Sequence, residues 1–140
     1  MNTLLIKGKV FSGKSEGANF IKLPWVKEQI EQKLGFTPFI GTLNLRLNEN
    51  SVKLKEQLKR KDSIEILPAE GFRRGKCFKA CLMNSLECAI VFPGVADYPE
   101  DVIEIVAPVN LRKKLRLKDG DVVEVRARYE LEKEIPEDEE

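Results

Sequence analysis

The chain has 140 residues, 42% of them apolar and 34% charged, a composition that fits one compact globular domain able to bury roughly two-thirds of its unfolded surface. It contains no histidine, which excludes Ser-His-Asp and Cys-His nucleophile systems, HExxH metal sites and any histidine proton shuttle. Its formal charge of +1 hides an asymmetry: Glu132 to Glu140 carries six acids and one lysine, leaving 23 basic and 17 acidic groups in a body of charge +6.

No apolar run reaches the ~18 residues of a membrane span, and the amino end has no pattern of a secretion signal, so a cytoplasmic protein with no membrane partner is expected. Cys77, Cys81 and Cys88 cannot close a four-ligand zinc site without histidine, and read as buried structural thiols. The acidic end reads as a solvated, disordered tail over 132–140 behind a single domain over 1–131.

In chain order, Thr3 to Phe11 alternates as a half-buried strand, with Ile6, Gly8 and Val10 facing inward. Ser12 to Asn19 reads as a loop and Phe20 to Leu23 as a short extended piece. Pro24 opens a helix whose apolar stripe is Val26, Ile30 and Leu34, and Gly35 ends it. Thr42 to Leu47 alternates again, and Ser51 is a candidate cap for a short basic helix anchored by Leu54 and Leu58. Lys53 to Lys61 and Arg73 to Lys79 gather basic charge that could serve an anionic ligand, the plainer reading being two solvated faces.

Strands are expected at Ser63 to Leu67, Lys76 to Met83 and Glu87 to Phe92, with Asn84 and Ser85 as the turn between the last two. A further strand, Val102 to Val106, ends before Pro108. Val109 to Leu115 reads as one helical segment, Lys118 to Asp121 as a turn, and Val123 to Leu131 as the last strand. Many short strands and three brief helices with no strand-helix repeat predict a mainly β protein, a closed or nearly closed barrel with helical decorations.

Three features carry candidate chemistry. Gly8 to Ser15 satisfies the phosphate-loop pattern G-x4-G-K-[ST], but its first glycine lies inside a strand and no helical period follows, so a P-loop fold is rejected. A Gly/Ser-rich loop starting at Gly13 and Lys14 can still cradle phosphates through backbone donors, against the plainer reading of an ordinary hairpin loop. Thr42 and Asn44 share one strand face and offer two hard oxygens suited to a nucleotide-bound magnesium ion; the plainer reading is a solvent face with Arg46 on it. Glu104 stands alone in the apolar strand VIEIV, either as a partly buried acid with a raised pKa serving as base or acceptor, or as a bystander on an exposed edge.

Taken together, SGKSEGANF, Leu23-Pro24, LGFTPFIGTLNLRL, YPEDVIEIVAP and LRKKLRLKDGDVVEV resemble, in order and spacing, the archaeal CTP-dependent riboflavin kinases over nearly the whole chain. The resemblance implies a six-stranded cradle-loop β-barrel that transfers the γ-phosphate of CTP to the riboflavin 5′-hydroxyl, giving FMN and CDP with Mg2+ as cofactor. It places nucleotide contacts on Gly13, Lys14, Ser15, Glu16, Gly17 and Ala18, and a second set on Val109, Asn110, Leu111, Arg112 and Lys113. It places magnesium on Thr42 and Asn44, flavin contacts on Ala96 and Glu104, and the catalytic acid-base role on Glu104. The chain departs from the family's usual pattern in places: Ser15 stands where a glycine is usual, Ala18-Asn19 precede Phe20 where one bulkier residue is usual, and Ala96 falls near the place of a threonine. A monomer with no nucleic-acid partner is expected. The alternative comes from LRLKDGDVVEV, which also resembles the swapped-hairpin barrels of AbrB-like transcription factors, short dimeric modules for which a basic body would suit DNA.

Overall fold

The computed structural model describes residues 2–13, 16–69, 71 and 74–129. Its strands are β1 (Asn2–Val10), β2 (Leu43–Leu47), β3 (Ile64–Ile66), β4 (Gly75–Leu82), β5 (Leu86–Phe92), β6 (Val102–Val106) and β7 (Val122–Tyr129). The helices are α1 (Glu16–Ile21), α2 (Pro24–Leu34), α3 (Glu49–Lys59) and α4 (Leu111–Leu115). All pairings are antiparallel in the order β3-β4-β5-β6-β2-β1-β7, and β4 also pairs with β7, so six strands close a barrel with β3 appended outside. The closure is possible because β4 divides its length: Gly75 to Cys77 pair with β3, while Ala80 to Leu82 pair with β7. The barrel therefore closes within one chain, unlike the swapped-hairpin alternative.

Alternation decides which side chains fill the barrel. Ile6, Val10, Leu45, Phe78, Ile90, Ile103 and Val125 meet in its interior, each such burial contributing about 1.5–3 kcal/mol before entropy is counted. The opposite faces of β4, β5 and β6 meet a second core made by Phe20, Ile21, Val26, Ile30 and Leu34 of α1 and α2. Gly8 sits where β1 crosses β2 most closely: a Cβ there would lie 2.8 Å from the Leu45 Cβ. The first glycine of the phosphate-loop pattern is thus a packing residue in mid-strand.

The structure corrects several local expectations. The segment read as loop and extended chain contains α1, whose buried positions Gly17, Phe20 and Ile21 keep helical spacing for a single turn, too short a stretch to register as a period. Four helices decorate the barrel. Asn48, not Ser51, caps α3, its side chain accepting from the Ser51 N–H at 2.8 Å, while Ser51 itself is buried. Val109 precedes the last helix, which Asn110 caps by accepting from the Lys113 N–H at 3.2 Å. The β4–β5 turn begins one residue earlier than expected, with positive φ at both Met83 and Asn84. The basic face over Lys53 to Lys61 is not all solvated, because Lys55 is buried. Cys77 and Cys88 are buried free thiols that burial pushes up to about 12. Lys14, Ser15, Arg73, Leu131 and the acidic tail lie outside the described residues. No described helix is long and apolar enough to cross a membrane.

Candidate active site

β6 lies between β5 and β2, so Glu104 is not on an edge. The pleat that sends Ile103 and Ile105 into the barrel turns Glu104 outward, under α1, where it is 2% exposed. A carboxylate so placed needs donors to replace water. Its Oε2 accepts from the Gly17 N–H at 2.8 Å and from the Tyr98 hydroxyl at 2.6 Å, and its Oε1 accepts from the Thr42 hydroxyl at 2.7 Å. A Cβ on Gly17 would stand 2.6 Å from Oε1, so this approach requires glycine. Burial, followed by the bond to Glu104 and the negative charge beyond it, raises the Tyr98 phenol well above its ordinary range and keeps it a donor.

Most of the described residues expected at the site line two neighbouring clefts, while Gly17, Ala18, Asn44 and Lys113 line neither. One, of about 480 Å³, lies between the end of β1 and the 95–99 loop and contains Gly13, Glu16, Ala96, Tyr98 and Glu104. Arg46 forms part of its wall, lying 4.4 Å over the Phe11 ring and pairing with Asp101 at 3.1 Å. Ala96 presents only a methyl group there. The other cleft, of about 180 Å³, is formed by Gly41 and Thr42 on one side and Val109 to Arg112 on the other. The Thr42–Glu104 hydrogen bond joins the two. A broader depression of about 610 Å³ near Lys33, Lys61 and Lys76 holds none of the expected residues.

Not every expected residue sits as the sequence suggested. The Gly17 amide is directed at Glu104 instead of standing open to a phosphate. Leu111 is buried in the barrel core while also bordering the small cleft. Arg112 donates to the Ser12 hydroxyl at 3.0 Å and pairs with Asp119 at 2.9 Å, tying the second segment to the start of the glycine loop. The Ser12 hydroxyl and then Arg112 hold the Asp119 carboxyl below its ordinary range. Asn44 pairs in register with Glu104 and is only 7% exposed, so the strand face read as polar is covered at Asn44, while Arg46 further along it is exposed.

Thr42 Oγ1 and Asn44 Oδ1 are 3.4 Å apart. The shorter contact to Glu104 takes the hydroxyl proton, leaving the threonine oxygen's lone pairs beside the carboxamide oxygen. Among the described residues no group of three Asp, Glu, Cys or His could hold a metal. Two neutral hard oxygens fit a magnesium ion whose remaining ligands are phosphate oxygens and water.

Comparison with known proteins matches residues 10–127 to the family model of the CTP-dependent riboflavin kinase domain, described as a domain of unknown function, DUF120. The chain belongs to the CTP-dependent riboflavin kinase family. It is 43% identical over 130 residues to a riboflavin kinase of Archaeoglobus fulgidus, covering 88% of this chain and 54% of that protein. A riboflavin kinase of Pyrobaculum aerophilum is 46% identical over 125 residues, covering 84% and 58%. One from Methanosarcina barkeri is 41% identical over 132 residues, covering 89% and 57%. The chain thus spans little more than half the length of these relatives.

Sequence reading missed Tyr98 and Arg46 as site residues. Tyr98 lies on an irregular loop six residues before Glu104, where no periodicity relates the two. Arg46 was visible only as the next residue on the Thr42 and Asn44 face.

Proposed function

We propose that this chain is a riboflavin kinase that transfers the γ-phosphate of CTP to the riboflavin 5′-hydroxyl, giving FMN and CDP. The observation that carries the reading is the 2.7 Å Thr42–Glu104 hydrogen bond, which makes one junction of two clefts. Phosphoryl transfer asks a protein chiefly to align donor and acceptor and to neutralise charge, and a junction of this kind supplies one place for both. The nucleotide enters from the smaller cleft of Val109 to Arg112 and reaches the Gly13 and Glu16 end of the 480 Å³ cleft, a volume in the ordinary range of ligand sites, whose Ala96 end takes the flavin.

Thr42 and Asn44 would hold magnesium, which when bound supplies positive charge to the phosphates. Glu104 orients the riboflavin hydroxyl and accepts its proton. It does so with Oε2 held by the Gly17 amide and the Tyr98 hydroxyl, while the Thr42 hydroxyl at Oε1 yields its place to the substrate. The nucleotide-side contacts expected on the glycine loop would be joined there by Arg112, now held by Ser12 and Asp119, with Lys113 exposed nearby.

The test is incubation of the protein with riboflavin, magnesium and each of the four nucleoside triphosphates, read by chromatography. FMN and CDP are expected with CTP and little product with ATP. Equal use of ATP would remove the donor assignment, and no FMN with any donor would remove the kinase reading.

A further inference from the structure

The most deeply buried cation among the described residues lies outside the two clefts. Lys55, on α3, is 2% exposed, and its Nζ donates to the carbonyls of Pro99, Glu100 and Val102 at 3.1, 3.0 and 2.9 Å. An ammonium has three N–H donors, and the three carbonyls match them one for one. Lys55 forms no ion pair among the described residues; the faces of Tyr98 and Phe92 lie 5.2 and 6.0 Å from the charge. Mere filling of this space would be served better by leucine or methionine, since a cation loses its hydration on burial. What the ammonium adds is convergence of three carbonyls from one turn.

That turn has reason to need a pin. The 93–101 segment has no regular structure, and Gly94 and Asp97 take positive φ. It forms a thin wall between the 480 Å³ cleft and another of about 430 Å³ that reaches Lys55, with Val95 and Tyr98 lining both. Apart from Lys55 and Tyr98, its ties to the barrel near Glu104 among the described residues are the Leu47 N–H to the Asp101 carbonyl at 2.7 Å and the half-exposed Arg46–Asp101 pair. Tyr98 extends from this wall to Glu104.

We propose that Lys55 is a positioning residue for the flavin side of the site: by clamping the Pro99–Val102 turn it holds Tyr98 where its hydroxyl fixes the Glu104 carboxylate. The assignment to the flavin side rests on the kinase reading above; the clamp itself does not. Lys55 touches neither cleft's reacting groups and acts only through Tyr98.

The test compares the wild-type chain with Lys55→Met, and with Lys59→Met as a control one turn further along α3 at an exposed position. Lys55→Met is expected to lower kcat/KM for riboflavin at least tenfold while KM for CTP stays within twofold. Amide exchange should quicken over residues 97–103 and stay unchanged in β1 and β7, and Lys59→Met should resemble the wild type in both measurements. Wild-type riboflavin kinetics in folded Lys55→Met would overturn the proposal. So would equal losses for both substrates with exchange raised through the whole barrel, the mark of a merely structural residue. If Lys55→Met does not fold, Tyr98→Phe decides: it keeps the ring beside Lys55 and removes only the donor to Glu104, so it must show the same riboflavin-selective loss, and a silent variant overturns the proposal. A wild-type chain that makes no FMN would remove the kinase reading, and the exchange data would still decide the clamp.

Discussion

Glu104 and Lys55 are equally buried, carry opposite charges and are not paired with each other. Each is satisfied in a different way. Glu104 gathers an amide from α1, a hydroxyl from the chain entering β2 and a hydroxyl from the loop before β6. Lys55 gathers three carbonyls from a single turn. A side-chain hydroxyl such as that of Thr42 can be exchanged for a substrate hydroxyl by a rotamer change, whereas backbone carbonyls cannot leave without remaking the loop. The anion is therefore placed to take part in chemistry and the cation to hold its surroundings still.

The largest expected effect comes from breaking the exchangeable site. Glu104→Gln keeps the shape but turns an amide group toward one of its donors, and it removes the proton acceptor. Turnover should fall by roughly 100- to 10,000-fold if Glu104 assists as a base, whereas loss of a ground-state contact would appear mainly as a raised riboflavin KM. Because Glu104 also holds the Gly17 amide, CDP affinity should weaken slightly, by less than tenfold. Steady-state kinetics with a CDP titration separate these outcomes, and unchanged values for all three would take Glu104 out of the site. Thr42→Val, which removes the hydroxyl at the junction of the clefts, and Asn44→Ala should each cost roughly 100-fold at limiting magnesium. Full activity in both would remove the metal assignment.

Gly17→Ala sharpens the same contrast through stability. Alanine is a better helix former than glycine by about 1 kcal/mol, yet its methyl group would stand 2.6 Å from the Glu104 carboxylate. Overpacking typically costs about 1–3 kcal/mol, so a net loss of melting temperature is expected. Placed in a Glu104→Ala background, the same substitution should become neutral or stabilising, which a double-mutant cycle measures. A loss that persists without the carboxylate would mean that α1 is held by something other than Glu104.

The sequence was most legible where alternation runs long. β1, β2 and β7 fill the barrel with the residues their pattern designates, and Pro24 and Gly35 bound α2 where their backbone preferences predict, Gly35 taking a φ of 83°. Glu104 was visible as an acid in an apolar strand, though whether it was covered depended on β6 being interior, a fact of strand order that no single strand records. α1 escaped because one turn is too short for a period. Lys55 escaped because its residue type masked its position: Ser51, Lys55 and Leu58 form the inward stripe of α3, with a lysine where an apolar residue is expected. The Tyr98 contact could not be read at all, since an irregular loop has no repeat from which a direction follows.

The buried thiols supply the smallest test, as ionisable groups that avoid the need for partners by staying neutral. Burial raises Cys77 and Cys88 from 9.0 to about 12. Below pH 9 both folded and unfolded chains keep these protons, so the thiols add no pH dependence. Above pH 9 the unfolded chain loses them first and binds fewer protons than the folded one, so stability falls as pH rises toward 12. At pH 10, one unit above the unfolded value, each thiol should cost about 1.4 kcal/mol. Tyr98, raised from 10.0, adds a loss of the same sign at higher pH, and Lys55, lowered from 10.5 chiefly by burial, adds a gain of opposite sign. Those contributions are common to the wild type and a thiol variant and cancel in their difference. Under reducing conditions, the stability gap between wild type and Cys88→Ala, measured by urea unfolding, should therefore shrink or reverse by about 1.4 kcal/mol between pH 8 and pH 10, and likewise for Cys77→Ala. A gap independent of pH would mean that the thiols ionise as readily in the folded protein as in the unfolded chain, and that burial alone does not keep them neutral.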